Sequence, residues 1–400
     1  MGTRVQNLCA FARQAPKSAA RFGAWLFVAV FAARAFTSSS LYFGDGPAHL
    51  TAIQARTYVI QAPGYWLFAR TASLFPDPEI AISVMNWLFS AAGAIFFYLV
   101  ARKFASEGVA RLSALLYAVV FFGWFSGNVH STHASQLFFP IASFFFILKY
   151  QEESRQKWLI WAGVAFVLGA GFRPSDGVFF SPVFLYALIK ARRKDAIIAA
   201  TMACVVGLAW LIPQQIALRN VVNNSVRSQM MVAASGPLVS GLSQYALSNT
   251  LRYVLPLALA FFPLIPLIFR AKSFPLWLWI VPGSAFFLLI FISEATYTNW
   301  MLAPLILLAI ISPQVSDRRK MWLIAACICL NLLFYFAWRP IKLANARLQK
   351  AEYLVEADVG KYTFYSVRNH RQLTLSELLN VPPSHRQANA HGAAANPPWD

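Results

Sequence analysis

The residue best placed to do chemistry is an aspartate between two glycines, Asp45, in the run Leu41-Tyr42-Phe43-Gly44-Asp45-Gly46-Pro47-Ala48-His49-Leu50. Glycines on both sides let the backbone turn tightly and let other groups approach closely. Pro47 suits the first turn of a helix. Asp45 can therefore be a plain helix N-cap. It can equally be a carboxylate held as a general base, because an ionisable group at the edge of an apolar segment is costly and often functional. A base must reach the proton it removes and have a pKa suited to the task. His49 lies four residues on, on the same helical face, where it can assist Asp45 or cap the helix.

Three other stretches carry polar chemistry. Gly127-Asn128-Val129-His130-Ser131-Thr132-His133 holds two histidines three apart, which share a face if helical. With Asp45 they can hold a divalent metal ion or bind phosphate; a satisfied structural pair is the plain alternative. Arg173 sits in a very short turn, Gly171-Phe172-Arg173-Pro174, and Arg219, Arg227 and Arg252 fall between later apolar segments. Guanidinium forks match phosphate geometry, whereas the plain role of such arginines is snorkelling to lipid headgroups. Glu294 opens Glu294-Ala295-Thr296-Tyr297-Thr298-Asn299-Trp300, as a loop acid or a contact to substrate. Tyr65 and Trp66 follow a Pro63-Gly64 turn signal and are typical interface anchors. No motif demands a cofactor. Cys9, Cys204, Cys327 and Cys329 have neither metal-ligand nor Cys-x-x-Cys spacing.

The elements that must position these residues are membrane helices. Hydrophobic residues make up 58% of the chain and charged residues 12%, against about 25% charged in a soluble domain. About eleven apolar segments are legible, at 20–38, 80–101, 109–127, 134–150, 158–172, 178–191, 196–213, 250–269, 274–293, 300–315 and 321–338. The fold class is an all-α polytopic bundle. Segments 158–172 and 178–191 are short enough to be tilted, broken or re-entrant. A net charge of +19 would suggest nucleic acid in a soluble protein. Here the basic residues cluster in short loops between apolar runs, the pattern that sets topology, so no nucleic-acid partner is expected.

With the N-terminus inside, the basic clusters around 1–21, 102–111, 149–157, 190–194, 270–272 and 318–320 all fall on one side. The two long loops, 39–79 and 214–249, fall on the other. A cleaved signal peptide over the first segment is the less favoured reading, because Arg34 is a poor lead-in to a cleavage site. The domains are an N-terminal cytoplasmic segment 1–19, a membrane domain 20–338 and a tail 339–400. The start of the tail, Ile341 to Val359, can form a helix, and its end, Asn380 to Asp400, reads as disordered. No inside loop has room for a nucleotide-binding fold and no GxxxxGK[ST] sequence occurs, which argues against an ATP-driven pump acting alone.

This layout resembles that of the GT-C glycosyltransferases, multi-span enzymes that use lipid-phosphate-linked sugars. In them a first span leads into a long outer loop that opens on an acidic motif and often contains a Pro-Pro-Gly-Tyr-like turn. Gly44-Asp45-Gly46 and Ala62-Pro63-Gly64-Tyr65 match those two features, with weaker echoes at Gly171-Phe172-Arg173-Pro174 and Tyr297–Pro304. The chain resembles in particular bacterial relatives of protein O-mannosyltransferases and aminoarabinose transferases.

The resemblance implies a bacterial inner-membrane enzyme that moves a sugar from a polyprenyl-phosphate donor to a glycan, lipid or protein acceptor at the outer face. Asp45 would be the base, and Arg173, Arg219 and Arg252 would hold phosphate. His49, His130, His133, Tyr65, Arg173 and Glu294 would bind substrate. Many relatives place a second acid in the next outer loop; here that loop has His130 and His133 instead, which leaves any metal-dependent mechanism in doubt. The competing classes are a secondary transporter or lipid flippase, which would want ionisable groups near the bilayer midplane and internal repeats, and a non-catalytic scaffold.

Overall fold

The computed structural model describes residues 16–37, 53, 56, 65–128, 132–221, 255–289, 299–313, 315–337, 353–358, 361–366, 371–373 and 386–389. Asp45, His49, His130, Arg227, Arg252 and Glu294, singled out above, lie outside them. Up to residue 337 the described elements are helical. They are α1 (Pro16–Thr37), α2 (Trp66–Ala72), α3 (Pro78–Ala101), α4 (Glu107–Val119), α5 (Phe121–Asn128), a 3-10 turn (His133–Leu137), α6 (Phe139–Glu153), α7 (Gln156–Phe172), α8 (Pro174–Lys190) and α9 (Arg193–Val221). There follow α10 (Leu255–Ala260), a 3-10 turn (Phe262–Leu264), α11 (Ile265–Arg270), α12 (Phe274–Leu289), α13 (Asn299–Ile311) and α14 (Asp317–Ala337).

Every apolar segment of the sequence thus contains helix. Among the described residues, however, only Ser18–Thr37, Pro78–Ala101 and Arg193–Ala217 are long and apolar enough to cross a membrane, or five spans if two bent pairs each count as one. The count of about eleven is not confirmed.

One bent pair shows how a broken helix survives in an apolar core. The 109–127 segment bends by 56° between α4 and α5. A break there removes partners from backbone groups that lipid cannot satisfy. Two side chains from distant helices supply them. Arg34 of α1, itself buried, donates from Nη2 to the Ala118 carbonyl at 3.0 Å and from Nη1 to the Trp124 carbonyl. Its guanidinium also lies 4.2 Å from the Trp124 ring centroid. Asn331 of α14 accepts from the Phe121 amide at 3.1 Å and donates to the carbonyls of Ala260, at the end of α10, and Cys327. Arg34 and Asn331 therefore pin three separate helices to the bend.

The two ends of the bundle differ in charge. At one end Arg102 and Arg111 bind Glu107, Lys103 binds Glu152, Lys149 binds Glu153, and Arg192 binds Asp195 together with the Tyr150 hydroxyl. These are the basic clusters that the sequence places inside. At the opposite end the contacts are neutral or buried: Asn128 to Thr37, Asn299 to Ser126, and the Trp66 amide to Gln214.

Close packing fixes that second end. A Cβ on Gly93 of α3 would fall 2.1 Å from the Leu137 carbonyl oxygen, so only glycine lets α3 carry the 3-10 turn His133–Leu137. The Tyr117 hydroxyl donates to the same carbonyl at 2.7 Å. Gly93→Ala should therefore shift the turn and destabilise the protein by about 1–3 kcal/mol, the usual range for overpacking. A thermal melt in detergent checks this; an unchanged midpoint would mean that the turn is not held against α3.

The tail departs from expectation. Tyr353–Asp358, Lys361–Ser366, Arg371–Leu373 and Arg386–Asn389 form strands β1 to β4, in one sheet of order β3-β2-β1-β4. β1 and β2 pair antiparallel from Tyr353 against Ser366 to Asp358 against Lys361, and β1 and β4 pair parallel. The helix expected over Ile341 to Val359 is thus a strand from Tyr353 onward. The reason is legible afterwards: the Tyr and Val of Tyr-Leu-Val and all four residues of Tyr-Thr-Phe-Tyr are aromatic or β-branched and suit a pleated surface. β4 falls within the stretch whose composition reads as disordered.

Candidate functional site

The site is built on a hairpin closed by one residue. Arg173 is both the C-cap of α7 and the N-cap of α8, with extended backbone (φ −146°, ψ 104°). Its amide donates to the Gly169 carbonyl at 2.8 Å, and its carbonyl accepts from the Asp176 amide at 2.9 Å. Pro174 opens α8, a position that needs no amide proton. The turn thereby sets Arg173 and Asp176 on the same end of the hairpin, both about 2% exposed.

The 3-10 turn supplies their partners. Arg173 Nη1 donates to Thr132 Oγ1 at 2.6 Å. Gln136 Nε2 donates to Asp176 Oδ1 at 2.9 Å, and Ser135 Oγ reaches Asp176 Oδ2 at 3.4 Å as well as the Thr132 carbonyl at 2.8 Å. Gln136 thus turns its amide NH2, a donor, to a carboxyl oxygen that accepts. From the other side Asn299, at the start of α13, donates to Ser126 Oγ at 2.6 Å and to the His133 carbonyl at 3.5 Å. Thr132, His133, Ser135, Gln136, Arg173, Asp176 and Asn299 are all buried. Among the described residues, Gln136 Oε1 and Asn299 Oδ1 are buried acceptors with no hydrogen-bond donor, an arrangement that costs free energy unless something completes it.

Asp176 lies two residues before the apolar run that starts at 178. Burial pushes its carboxyl up to about 7, against the pull of the Arg173 charge and of the hydrogen bonds from Gln136 and Ser135. A carboxyl raised above its unfolded value of 3.8 binds more protons in the native state across that window, so stability falls as pH rises from about 4 to 7. Thermal melts across this range should show the midpoint dropping in the parent protein and a shallower slope in Asp176→Asn. Equal slopes would show that the carboxyl ionises freely.

A wall of aromatic rings lies beside the hairpin. Phe68, Phe89, Phe139 and Phe172 form one cluster, with Phe172 edge-on to Phe68 at 6.4 Å and to Phe89 at 5.2 Å. A Cβ on Gly171 would lie 2.7 Å from Leu67 and 2.9 Å from Trp210, so glycine there brings α2, α7 and α9 together. Tyr65, the N-cap of α2, is buried in left-handed backbone (φ 56°), which costs a non-glycine residue roughly 1–2 kcal/mol. Gln214 Oε1 accepts from the next amide, Trp66, at 3.2 Å and ties the start of α2 to α9.

Of the residues singled out in sequence, the structure brings Arg173 and His133 to one network. Tyr65 stands on the neighbouring α2, and Arg219 lies near the end of α9. Sequence reasoning missed Thr132, Ser135, Gln136, Asp176 and Asn299. Asp176 was visible as an acid three residues after Arg173; nothing local marks the others. Asp77, another acid of this end, is accounted for as the N-cap of α3, accepting from Glu79 and Ile80. Among the described residues no three His, Cys, Asp or Glu side chains are grouped to hold a metal ion.

Residues 61–216 match the family model described as dolichyl-phosphate-mannose-protein mannosyltransferase, a family of the GT-C superfamily. The matched stretch runs from the Pro-Gly-Tyr turn into α9. It includes the Arg173 hairpin and the whole 3-10 turn, but not Asp45 or Asn299. The match supports a membrane glycosyltransferase of the GT-C type. No curated protein matches the chain.

Proposed function

We propose that the protein transfers a sugar from a polyprenyl-phosphate donor to an acceptor at the end of the bundle opposite the basic loops, with Asp45 as general base. The observation that carries this reading is the buried network of Arg173, Asp176, Gln136, Thr132 and Asn299 at that end, most of it within the segment that matches the mannosyltransferase family. A scaffold has no use for a buried guanidinium, a buried carboxyl and, among the described residues, two unfilled acceptors in one place, since burying such groups is costly.

Chemically, Asp45 takes the proton of the acceptor nucleophile. That nucleophile forms a bond to the sugar C1 as the bond from C1 to the phosphate oxygen breaks. Polyprenyl phosphate leaves with the electron pair. Arg219 and Arg252 meet the leaving phosphate, because preorganised cations stabilise charge that develops in the transition state. Arg173 acts one layer back: its guanidinium holds Thr132 and so positions the loop that carries His130 and His133. His49, His130, His133, Tyr65 and Glu294 line the path of donor and acceptor. Gln136 Oε1 and Asn299 Oδ1 are the acceptors that sugar hydroxyls complete. The remaining helices cross the bilayer as the apolar segments suggest, in a bacterial inner membrane with the basic loops cytoplasmic.

The test uses purified protein in liposomes with a polyprenyl phosphate carrying a radiolabelled sugar, and membrane extract as acceptor. Transfer of label from lipid to acceptor is expected. Movement of intact labelled lipid across the bilayer, with no change of bond, would replace this reading by a flippase.

A further inference from the structure

At the basic end of the bundle, a shallow surface cavity of about 560 Å³, open to its surroundings, is lined by Ser18, Arg21, Phe22, Trp25 and Arg111. It lies between α1 and α4, on the far side of the molecule from the Arg173 network. Its charges are unbalanced. Glu107 serves Arg102 through Oε2 at 2.9 Å and Arg111 through Oε1 at 2.7 Å, and it also accepts from the Tyr98 hydroxyl. One carboxylate thus faces two guanidinium groups, and Arg111 Nε is fixed by it while the side chain stays 38% exposed. Arg21 is exposed and has no carboxylate partner among the described residues. Glu107 therefore leaves a surplus of about two positive charges around the cavity.

The walls are those of a membrane boundary rather than of an aqueous pocket. Phe22 lies under Arg111, with the guanidinium carbon 5.0 Å from its ring centroid. Trp25 is 54% exposed, and Val28, one turn further along the same face of α1, is 65% exposed. An indole at the rim with an apolar helix face below it is how proteins meet the headgroup level of a bilayer.

We infer that this cavity binds the phosphodiester headgroup of an anionic phospholipid, with Arg21 and Arg111 on the phosphate, the Ser18 hydroxyl beside them and an acyl chain along Trp25 and Val28. The chemistry shared with free phosphate is the pair of guanidinium groups; the aromatic wall and the apolar helix face point to the lipid. Each arginine near an anionic surface strengthens such binding about fivefold.

The test is native mass spectrometry of the full chain in detergent doped with phosphatidylglycerol or phosphatidylcholine, with inorganic phosphate as a third arm. The parent should retain phosphatidylglycerol in preference to phosphatidylcholine, and millimolar phosphate should not displace it. Arg21→Gln should lower retention about fivefold, without disturbing Glu107; Arg111→Gln should lower it further. Equal retention of both lipids, or no change in Arg21→Gln, would overturn the lipid site. Displacement by inorganic phosphate would reassign it to a soluble anion. Because Arg21 has no carboxylate partner among the described residues, its replacement keeps the test meaningful even if Arg111→Gln misfolds.

Discussion

Replacing Asp45 by asparagine leaves a folded protein whose sugar transfer falls by about two to four orders of magnitude, the usual worth of a general base. Asparagine keeps the shape of the side chain and most of its capping ability at a helix N-terminus. It cannot take a proton from an acceptor hydroxyl. The glycines at 44 and 46 carry no side chain and offer no other group to substitute for the carboxylate. The check pairs initial rates of transfer with a thermal melt. An unchanged melt with lost activity supports the base. Full activity would remove Asp45 from the chemistry, and a collapsed melt with normal specific activity would make it only a cap.

The second large effect comes from the Arg173 hairpin. Arg173→Gln removes the charge that faces buried Asp176 and the donor that holds Thr132. Removing a charge that compensates a buried one costs up to about 3–5 kcal/mol, the range for a directly bonded pair. The lower end applies here, because burial already pushes the Asp176 carboxyl up to about 7, so it can take up a proton when Arg173 is gone. Adding Asp176→Asn to Arg173→Gln should recover a good part of that stability and none of the activity, since Thr132, which leads into the 3-10 turn His133–Leu137, still lacks its guanidinium donor. Arg173→Lys keeps the charge but not the planar fork and should fall between. Melts and rates on the single and double variants form a cycle that separates folding from transfer. If the double variant regained both, the pair would be structural only.

The sequence placed helices wherever a long apolar run said so, and the basic clusters around 102–111, 149–157 and 190–194, grouped by charge, meet in ion pairs at one end. It picked out Arg173 because it sits in a very short Gly171-Phe172-Arg173-Pro174 turn between two apolar runs. It could not see the partners. Gln136 and Asp176 are far apart in the chain and meet only because Gly93 lets α3 carry the 3-10 turn so closely. Asp176, taken alone, looks like an ordinary acid in the first turn of a helix. The bend in the 109–127 segment was equally invisible. It occurs at Val119-Val120-Phe121, with no proline or glycine at the break, and is stabilised by Arg34 and Asn331 from other helices. The tail sheet failed for a different reason: its strands alternate over only a few residues each, too few to outweigh a polar, proline-containing context.

The most direct measurement is a structure of the protein with a non-reactive polyprenyl-phosphate sugar analogue bound. The sugar should lie at the end opposite the basic loops, with its hydroxyls within hydrogen-bond reach of Gln136 and Asn299 and its C1 facing the Asp45 carboxylate. An analogue bound elsewhere, with Asp45 turned away from its sugar, would contradict the account.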